Sequence, residues 1–513
     1  MNKYIRLFNT VKYLKIKQIY FRLFYFIRNK YRKKVGFKYP TFENTQSSKL
    51  ILQESINSYE SYQENNNFNF LNISKKFENK IDWNYNNFGK LWTYNISYFD
   101  FLNQKDISKE EGISLVNDFI SKESILKDAI EPFPISLRGI NWIKFLTRED
   151  IKDKGIDDIL YKHYMILLDN LEYHLLGNHL LENGFSLLFG AYYFQDEKLY
   201  AKAKEILKEE LNEQILSDGA HFELTPMYHQ IMFFRLLDCI NLVGNNDYKS
   251  QEILEFLENK ASDMLSWLER STFKNGEIPL LNDSAFCIAP ISSELLDYAS
   301  RLEIKDSKLK LSSSGYRKIE KDGYECIVDI GNIGPDYIPG HAHSDTFNLV
   351  VNLENKPFIV DTGLSTYETN DRRTCERSTS SHNTVEINGK DQSEVWGGFR
   401  VANRAKIVNV KENIDCIEAT HDGYKKENIL HTRKWNFEEN KIIISDSLDN
   451  PANAIFRLHF HPNITKEEIE KSIKTDEEIK FDFYKYSPMF NTQIDAIVIE
   501  INFTKKLKVE INL

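Results

Sequence analysis

The stretch KLKLSSSGYRKI, residues 308–319, separates two halves of the chain that carry different apolar patterns. Before it, from about residue 110 to 305, apolar residues recur at helical spacing, as in LYKHYMILLDNLEYHLL (160–176) and YHQIMFFRLLDCINLV (228–243). After it, apolar runs are short and are separated by Gly, Asn and Asp, as in YECIVDIG (324–331) and KIIISDSL (441–448). The change predicts an all-helical domain followed by an antiparallel β domain, with a sandwich as the expected architecture.

Length and composition agree with two large folded domains. A chain of 513 residues exceeds one ordinary core, and 41% hydrophobic residues exclude general disorder. The net charge of −10 argues against a nucleic-acid partner. Five scattered cysteines predict neither a disulfide framework nor a cysteine metal site. We divide the chain into an N-terminal segment and lead-in (1–84), the helical domain (85–311) and the β domain (312–513).

The first 34 residues differ from the rest, with eleven Lys and Arg among aromatic and aliphatic residues and no acidic residue. Arg22 and Arg28 interrupt the apolar stretch that a signal peptide would need, so we predict no signal peptide. A cytoplasmic or inner-membrane location is then expected, with the periplasm less favoured. Two interpretations stay open: a basic amphipathic helix on an anionic membrane surface, or a helix that docks its aromatic face on the domain behind it.

Histidines and aspartates stand at the ends of predicted strands in the second half. GHAHSDTFNLVV (340–351) places His341, His343 and Asp345 just before an apolar run. FIVDTG ends another run with Asp361, and RSTSSHNTVEING places His382 before a third. Two imidazoles and a carboxylate at neighbouring strand ends suit Zn²⁺, whereas a set of polar turns is the simpler alternative.

Two helix starts in the first half also concentrate polar residues. LLGNHLLENG (175–184) contains Asn178 and His179, and SDGAHFELTPMYHQ (217–230) contains Glu223 and Tyr228 beside Pro226, which suits a first helical turn. Each residue alone could be a helix cap or part of the core. The clustering of Asn, His and Tyr at both starts favours a site.

These motifs together resemble a known family. GNHLLENG, DGAHFELTPMYHQ, GHAHSDTFNL, FIVDTGLSTY and RSTSSHNTVEING, in this order, are similar to motifs of the heparinase II/III-like polysaccharide lyases, which include alginate lyases. The resemblance covers about residues 85–400. It implies an α+β multidomain protein, with an N-terminal (α/α) toroid, a C-terminal antiparallel β-sandwich and the active site in the cleft between them.

The resemblance also implies roles for individual residues. Catalytic roles fall on Asn178 and His179, which would neutralise a uronate carboxylate, and on Tyr228 and His341, which would share the general acid and base tasks. A single structural zinc would be bound by His343, Asp361 and His382. Tyr367 and Arg377 resemble further cleft residues that would contact the substrate, and Arg138 is expected to contact it for a separate reason, its place in a segment that would shape the pocket.

Two more segments are candidates for walls that select the sugar. RGINWIKFL (138–146) contains Asn141 and Trp142 beside Arg138, and WGGFR spans residues 396–400. Both tryptophans could instead belong to the core.

The expected activity is β-elimination on a uronic-acid polysaccharide, which requires no cofactor beyond the structural zinc and is compatible with surface polysaccharide metabolism. A glycoside hydrolase of similar fold is the first alternative, although it needs a carboxylate pair, for which Glu182, Glu223 and Asp218 are available. A non-catalytic glycan-binding or assembly protein is the second.

Overall fold

The computed structural model of the chain describes residues 3–249 and 252–513. Two N-terminal helices and a small sheet precede the helical domain, and two short helices lie within the β domain. The helices are α1 (Lys3–Val11), α2 (Ile16–Val35), α3 (Lys90–Tyr98), α4 (Lys109–Ser121), α5 (Pro132–Arg148), α6 (Lys154–Asp169), α7 (Gly177–Phe194), α8 (Glu197–Gln214), α9 (Pro226–Gly244), α10 (Leu254–Ser271), α11 (Ser292–Arg301), α12 (Asp371–Arg377) and α13 (Lys466–Ser472).

The strands follow the same chain order, and the first three form the small N-terminal sheet. They are β1 (Tyr62–Gln63), β2 (Asn67–Phe70), β3 (Ile73–Lys76), β4 (Tyr316–Glu320), β5 (Tyr324–Asp329), β6 (Leu349–Leu353), β7 (Lys356–Ile359), β8 (Val385–Ile387), β9 (Val395–Trp396), β10 (Arg400–Val401), β11 (Ile407–Asn413), β12 (Cys416–His421), β13 (His431–Glu438), β14 (Lys441–Leu448), β15 (Ala454–His459), β16 (Ile473–Lys474), β17 (Ile479–Tyr486), β18 (Ile494–Phe503) and β19 (Lys506–Asn512).

The helical domain is built around α5, α7 and α9, which are buried on nearly every side. Helix α7 packs against α5, α8 and α9, and α10 packs against α9. Helices that are apolar all round belong to the interior of a helical domain. Pro226 begins α9, where its missing N–H costs nothing, and the Asp196 carboxylate caps α8 by accepting from the N–H groups of Lys198 and Leu199.

The C-terminal half is a sandwich of antiparallel sheets. A six-stranded sheet, in the order β11-β12-β13-β14-β19-β16, shares one buried apolar cluster with the four-stranded sheets β4-β5-β6-β7 and β17-β18-β15-β8. Buried and half-exposed residues alternate along β14, as expected for a sheet with one face on the core. A helical domain followed by this sandwich confirms the fold predicted from the change in apolar pattern.

The two domains pack directly on each other. Every residue of β5 is buried, because one face of the strand meets the sandwich core while Ile327 joins Trp267 and Phe273 of the helical domain in a separate apolar cluster. In the loop between β5 and β6, the His343 N–H donates to the Asn282 side chain and His341 Nδ1 lies 2.9 Å from Asp283 of the helical domain. The polar motifs of both halves therefore meet along one cleft.

The N-terminal helices dock on both domains. Arg6 and Thr10 of α1 bond to Glu394 and Trp396 of the sandwich, whereas Tyr25 of α2 donates to the Leu171 carbonyl of the helical domain. One face of these helices therefore docks on the two domains, which is one of the two interpretations of the N-terminal segment. In the described ranges, no helix has the length and apolar character needed to span a bilayer.

Candidate active site

A cavity of about 770 Å³ lies between the helical domain and the sandwich. Four of the predicted catalytic residues line it: Asn178, His179, Tyr228 and His341. Tyr367, which the sequence indicated as a candidate substrate contact, also lines it, together with Phe399 from the WGGFR segment. The sequence motifs of the two halves therefore contribute to one concave surface, which is the usual form of a ligand site.

Tyr228 and His341 face each other in this cavity. Their ring centres lie 4.1 Å apart, and the Tyr228 hydroxyl is 3.3 Å from the Tyr367 hydroxyl. Burial raises the pKa of Tyr228, although the Tyr367 hydroxyl opposes the shift, so the phenol is neutral near neutral pH. A neutral phenol beside an imidazole provides one proton donor and one acceptor within reach of the same bound sugar.

Asp283 orients the imidazole from behind. His341 Nδ1 lies 2.9 Å from Asp283 Oδ2, and the same carboxylate accepts from His343 Nε2 at 2.8 Å and from both terminal nitrogens of Arg373. When Nδ1 carries the proton, Nε2 of His341 is left as the acceptor. Burial disfavours the carboxylate, but Arg373 and the two histidines outweigh it and hold the pKa of Asp283 well below its usual range.

Sequence reasoning missed both Asp283 and Arg373. Asp283 lies 58 positions before His341 in LLNDSAF, outside every motif that the resemblance rested on. Arg373 stands one helical turn before Arg377 in α12, and its guanidinium also covers the Tyr367 ring at 5.1 Å. The RRTCER sequence does not reveal which arginine pairs with a carboxylate.

Asn178 and His179 lie in the first turn of α7, so the positive end of that helix faces the cavity. His179 Nδ1 is 3.0 Å from Oε1 of Glu172, another residue that sequence reasoning missed. Burial lowers the pKa of His179, but Glu172 outweighs burial, and the pKa is raised overall. A cationic imidazole, an amide and a helix N-terminus together suit a carboxylate.

Strained backbone surrounds these groups. Leu176, Leu224 and Asn282 have φ values of 64°, 56° and 56°, directly beside the segments that carry His179, Glu223 and Asp283. Gly177 also has a positive φ of 58°, and a Cβ there would come within 3.1 Å of Glu223 Oε1. Such conformations cluster at functional sites, where the surrounding fold holds them in place.

Two predicted substrate contacts do not line the cavity. Arg138 is fully buried in the helical domain, where it donates to the carbonyls of Ser97 and Ala129. Arg377 is 1% exposed and donates to the carbonyls of Ala342 and Gly398, so it shapes the loop around His341 without reaching the cavity. Long buried arginines satisfied by carbonyls are structural, and their sequence context does not distinguish them from ligand-binding arginines.

Of the two segments predicted to form walls of the site, only WGGFR lines the cavity. Trp142 is fully buried, and the Asn141 side chain donates to the Tyr98 carbonyl, so neither forms a wall of the cavity. Phe399 and Arg400 of the WGGFR segment do line it. The nearby Trp396 is half-buried between the guanidinium groups of Arg6 and Arg400.

The predicted zinc ligands are neighbours in the sandwich. The His343 and His382 rings lie 5.3 Å apart, and His382 Nδ1 is 2.7 Å from Asp361 Oδ2. The buried atoms His343 Nδ1 and His382 Nε2 have no hydrogen-bond partner among the described residues, which is unusual for buried polar atoms and fits a metal ligand set. Across residues 3–249 and 252–513, however, no three His, Cys, Asp or Glu side chains converge as placed on one metal position.

Two of the three carboxylates considered for a hydrolase are bonded to other residues and do not line the cavity. Glu182 is buried and bonds to Arg235 Nε at 2.9 Å, and Asp218 accepts from the N–H groups of Ser312 and Ser314. Only Glu223 of the three lines the cavity. Burial raises the pKa of Glu223, opposed by His341. The pair of carboxylates that a glycosidase needs is therefore not formed by these residues.

Sequence profiles of one family match most of the two domains. The profile described as heparinase II/III N-terminus matches residues 141–300, and the profile described as heparinase II/III-like, C-terminal, matches residues 305–490. The chain belongs to the heparinase II/III-like family. A similar curated protein is a heparin-sulfate lyase of Bacteroides stercoris, 24% identical over 323 residues. The match covers 56% of this heparinase II/III-like chain and 46% of that relative, so the chain spans less than half of its length.

Solved structures of the family share the fold. A crystal structure of heparinase III has a TM-score of 0.65 at 14% identity, and the match covers 85% of this chain and 80% of that one. The heparan sulfate lyase HepC of Pedobacter heparinus has a TM-score of 0.56 at 13% identity, with 87% and 81% covered. At such identities the likeness establishes the toroid and sandwich architecture of this heparinase II/III-like chain.

Proposed function

We propose that this chain is a polysaccharide lyase that cleaves a uronic-acid-containing polysaccharide by β-elimination. The observation that carries the proposal is the pairing of Tyr228 with His341 across the cavity, 4.1 Å between ring centres, beside Asn178 and His179. Elimination requires a proton acceptor, a proton donor and a neutralised carboxylate around one sugar. These four side chains supply all three.

The two proton tasks can be assigned from the hydrogen bonds. Because Asp283 accepts from Nδ1 of His341, Nε2 of His341 takes the C5 proton of the uronate. The Tyr228 hydroxyl, kept neutral by burial, gives its proton to the departing O4. The C4–O4 bond breaks, the electrons of the C5–H bond form the C4–C5 double bond, and no water is added.

The carboxylate of the uronate must be neutralised before C5 becomes acidic. His179, whose raised pKa favours the cation, and the Asn178 amide are placed to bind it at the N-terminus of α7. Preorganised donors of this kind can stabilise a developing enolate by several kcal/mol, of the order of 3 kcal/mol per donor. We assign Asn178 and His179 this role because both line the cavity that holds Tyr228.

An acidic polysaccharide or oligosaccharide is the substrate class that fits this cavity. Lys90, Arg22 and Arg400 line it together with aromatic side chains such as Tyr94 and Phe133. Cations match uronate or sulfate groups, and flat aromatic faces suit sugar rings. Two of the similar proteins reported above are named heparin-sulfate lyase and heparan sulfate lyase, and the polysaccharides in those names belong to this class.

We also propose that one structural zinc binds at His343, Asp361 and His382. The orphaned nitrogens His343 Nδ1 and His382 Nε2 support it, as does the unpaired Oδ2 of Asp345, a residue of the same buried cluster. A zinc ion there would brace the strand ends behind His341. The proton transfers assigned above do not pass through it.

The outer face of α2 supports a further proposal, contact with an anionic membrane surface. An exposed apolar stripe runs along the helix, formed by Ile16, Ile19, Leu23, Phe26 and Ile27. Lys30, Lys33 and Lys34 have no carboxylate partner among the described residues, and each cation near an anionic bilayer contributes ~1 kcal/mol. This contact fits the expected cytoplasmic or inner-membrane location.

The lyase proposal is tested by incubating the full chain with a panel of uronic-acid polysaccharides. An unsaturated uronate at the new non-reducing end gives an increase in ultraviolet absorbance. Tyr228→Phe and His341→Ala should abolish the signal, and Trp142→Phe, a change at a buried residue that does not line the cavity, should retain it. Cleavage that yields only saturated ends would overturn the proposal in favour of a hydrolase.

A further inference from the structure

Helices α1 and α2 cross the cavity from one domain to the other. On the sandwich side, α1 uses Arg6 with Glu394 at 2.7 Å, and the Trp396 indole donates to Thr10 at 3.1 Å. On the helical side, α2 uses Gln18, which donates to the Leu175 carbonyl at 2.9 Å. The crossing helices are therefore a third wall of the cavity, lined by Leu7, Thr10, Val11, Leu14, Gln18 and Arg22.

Several cations of α1 and α2 are already paired with carboxylates of the two domains. Arg28 and Arg32 bond to Asp169, and Lys17 bonds to Glu209. These contacts hold α2 on the helical domain and leave little charge for a ligand. The family profiles begin at residue 141, so this wall lies outside the matched region.

Arg22 is different, because it points into the cavity without a carboxylate. Its Nε donates to the His174 carbonyl at 3.2 Å, in the loop that leads to Asn178 and His179. Arg400 of β10 lines the same cavity, and its guanidinium lies 4.8 Å from the Trp396 ring centre. In the described part of the chain, neither arginine has an acidic partner within ion-pair distance, while the neighbouring Arg404 is paired with Asp336.

The positive charge of Arg400 affects the guanidinium group of Arg22. Burial lowers the pKa of Arg22, and the charge of Arg400 lowers it further. Two like charges that approach in a cavity without a counterion destabilise each other, and an anion between them relieves the repulsion. Guanidinium groups bind carboxylate and sulfate oxygens through paired N–H donors.

We propose that Arg22 and Arg400 form an anion subsite that holds a carboxylate or sulfate group on a sugar next to the one that is cleaved. This inference rests on the proposed lyase function for its substrate class. It makes the N-terminal helices part of the substrate site, and it places the recognition of a second acidic group between the His174 loop and the β9–β10 hairpin. A chain of acidic sugars would then be bound through two acidic groups, one at Asn178 and His179 and the other at Arg22 and Arg400.

Kinetics of point variants in the full chain test the subsite. Arg22→Gln and Arg400→Gln should each raise KM about tenfold and leave kcat within about twofold, because the lost contact is made equally in the ground and transition states. Lys30→Gln is the matched control, since it removes one charge from the outer face of the same helix. Among the described residues, Arg400 makes no hydrogen bond to either N-terminal helix, so its variant, checked by an unchanged melting temperature, separates binding from docking.

The chemistry of the anion is resolved by pairing a sulfated polysaccharide with its desulfated form. If a sulfate is bound, the KM effect of both variants disappears on the desulfated chain; if a carboxylate is bound, it persists on both chains. Unchanged KM in both arginine variants, or an equal change in Lys30→Gln, would overturn the subsite.

Failure of the lyase proposal is recognised separately. If no polysaccharide is cleaved, titration calorimetry with an acidic oligosaccharide measures the subsite directly. About tenfold weaker binding by Arg22→Gln and by Arg400→Gln would uphold the subsite without the reaction. Equal affinities of both variants and the unmodified chain would overturn it.

Discussion

Asp283→Asn replaces one carboxylate oxygen by an amide nitrogen, and the structure predicts that this small change lowers both the stability of the fold and the rate of turnover. The carboxylate is fully buried and accepts from His341 Nδ1 at 2.9 Å, from His343 Nε2 at 2.8 Å and from the Arg373 fork. An amide cannot accept at its nitrogen and leaves the buried Arg373 cation without a counterion. Removing one partner of a buried pair costs roughly 3–5 kcal/mol of unfolding free energy.

The same change should also reduce turnover, because His341 loses the acceptor that fixes its proton on Nδ1. Loss of a correctly positioned acid or base typically costs about 10²- to 10⁴-fold in rate. We expect kcat to fall in that range, measured by absorbance of the unsaturated product, with denaturant unfolding followed in parallel by circular dichroism.

Arg373→Gln provides the matched control. It breaks the same buried ion pair and should destabilise the fold by a similar amount, but it leaves the His341–Asp283 hydrogen bond in place. Its kcat should therefore fall much less than that of Asp283→Asn. Wild-type kcat in a folded Asp283→Asn protein would refute the assigned role of the carboxylate.

Four other expectations follow from the site and the N-terminal helices. Tyr228→Phe should reduce kcat about 10²- to 10⁴-fold with little loss of stability, since its hydroxyl contacts only Tyr367 in the described structure; wild-type turnover would exclude the assigned acid. Glu172→Gln should lower the pKa of His179, so the alkaline loss of kcat/KM should move to lower pH; an unshifted profile would contradict the cationic role. His382→Ala should abolish zinc detected by elemental analysis and the lowering of melting temperature by chelators, whereas a metal-free native protein would exclude the site. Leu23→Glu should weaken sedimentation with anionic vesicles while the fold is retained, and unchanged binding would exclude this face of α2.

The fold could be predicted from the sequence because its apolar periodicity is strong. Helical spacing before residue 305 and short runs after residue 316 match the toroid helices and sandwich strands. Strand β5 is buried on both faces because one face contacts the sandwich core and the other contacts the helical domain, and the sequence of the strand alone does not show this second contact. Local periodicity reports burial but does not report which element provides it.

The site could be predicted only in part. Residues at helix starts and strand ends, such as Tyr228 and His341, follow from motifs, and both line the cavity. Asp283 and Arg373 depend on the packing of sandwich on toroid, so neither stands out in the sequence. Arg138 shows the opposite error, because its own guanidinium is buried and donates to backbone carbonyls.

The N-terminal segment was the least predictable part. Its composition allowed both membrane contact and docking, because one helix can use opposite faces for each. The structure buries Gln18 of α2 against the helical domain and leaves Leu23 exposed at 59%. Which positions face inward depends on Asp169, Glu209 and other partners far along the chain.

The central claim, β-elimination in the Tyr228–His341 cavity, is tested most directly by digesting a uronic-acid polysaccharide in water enriched in heavy oxygen and weighing the fragments by mass spectrometry. Elimination adds no water, so the account predicts unsaturated fragments without heavy oxygen, formed by the native chain and absent with Tyr228→Phe. Saturated fragments that carry one heavy oxygen per cleaved bond, at the new reducing end, would contradict it.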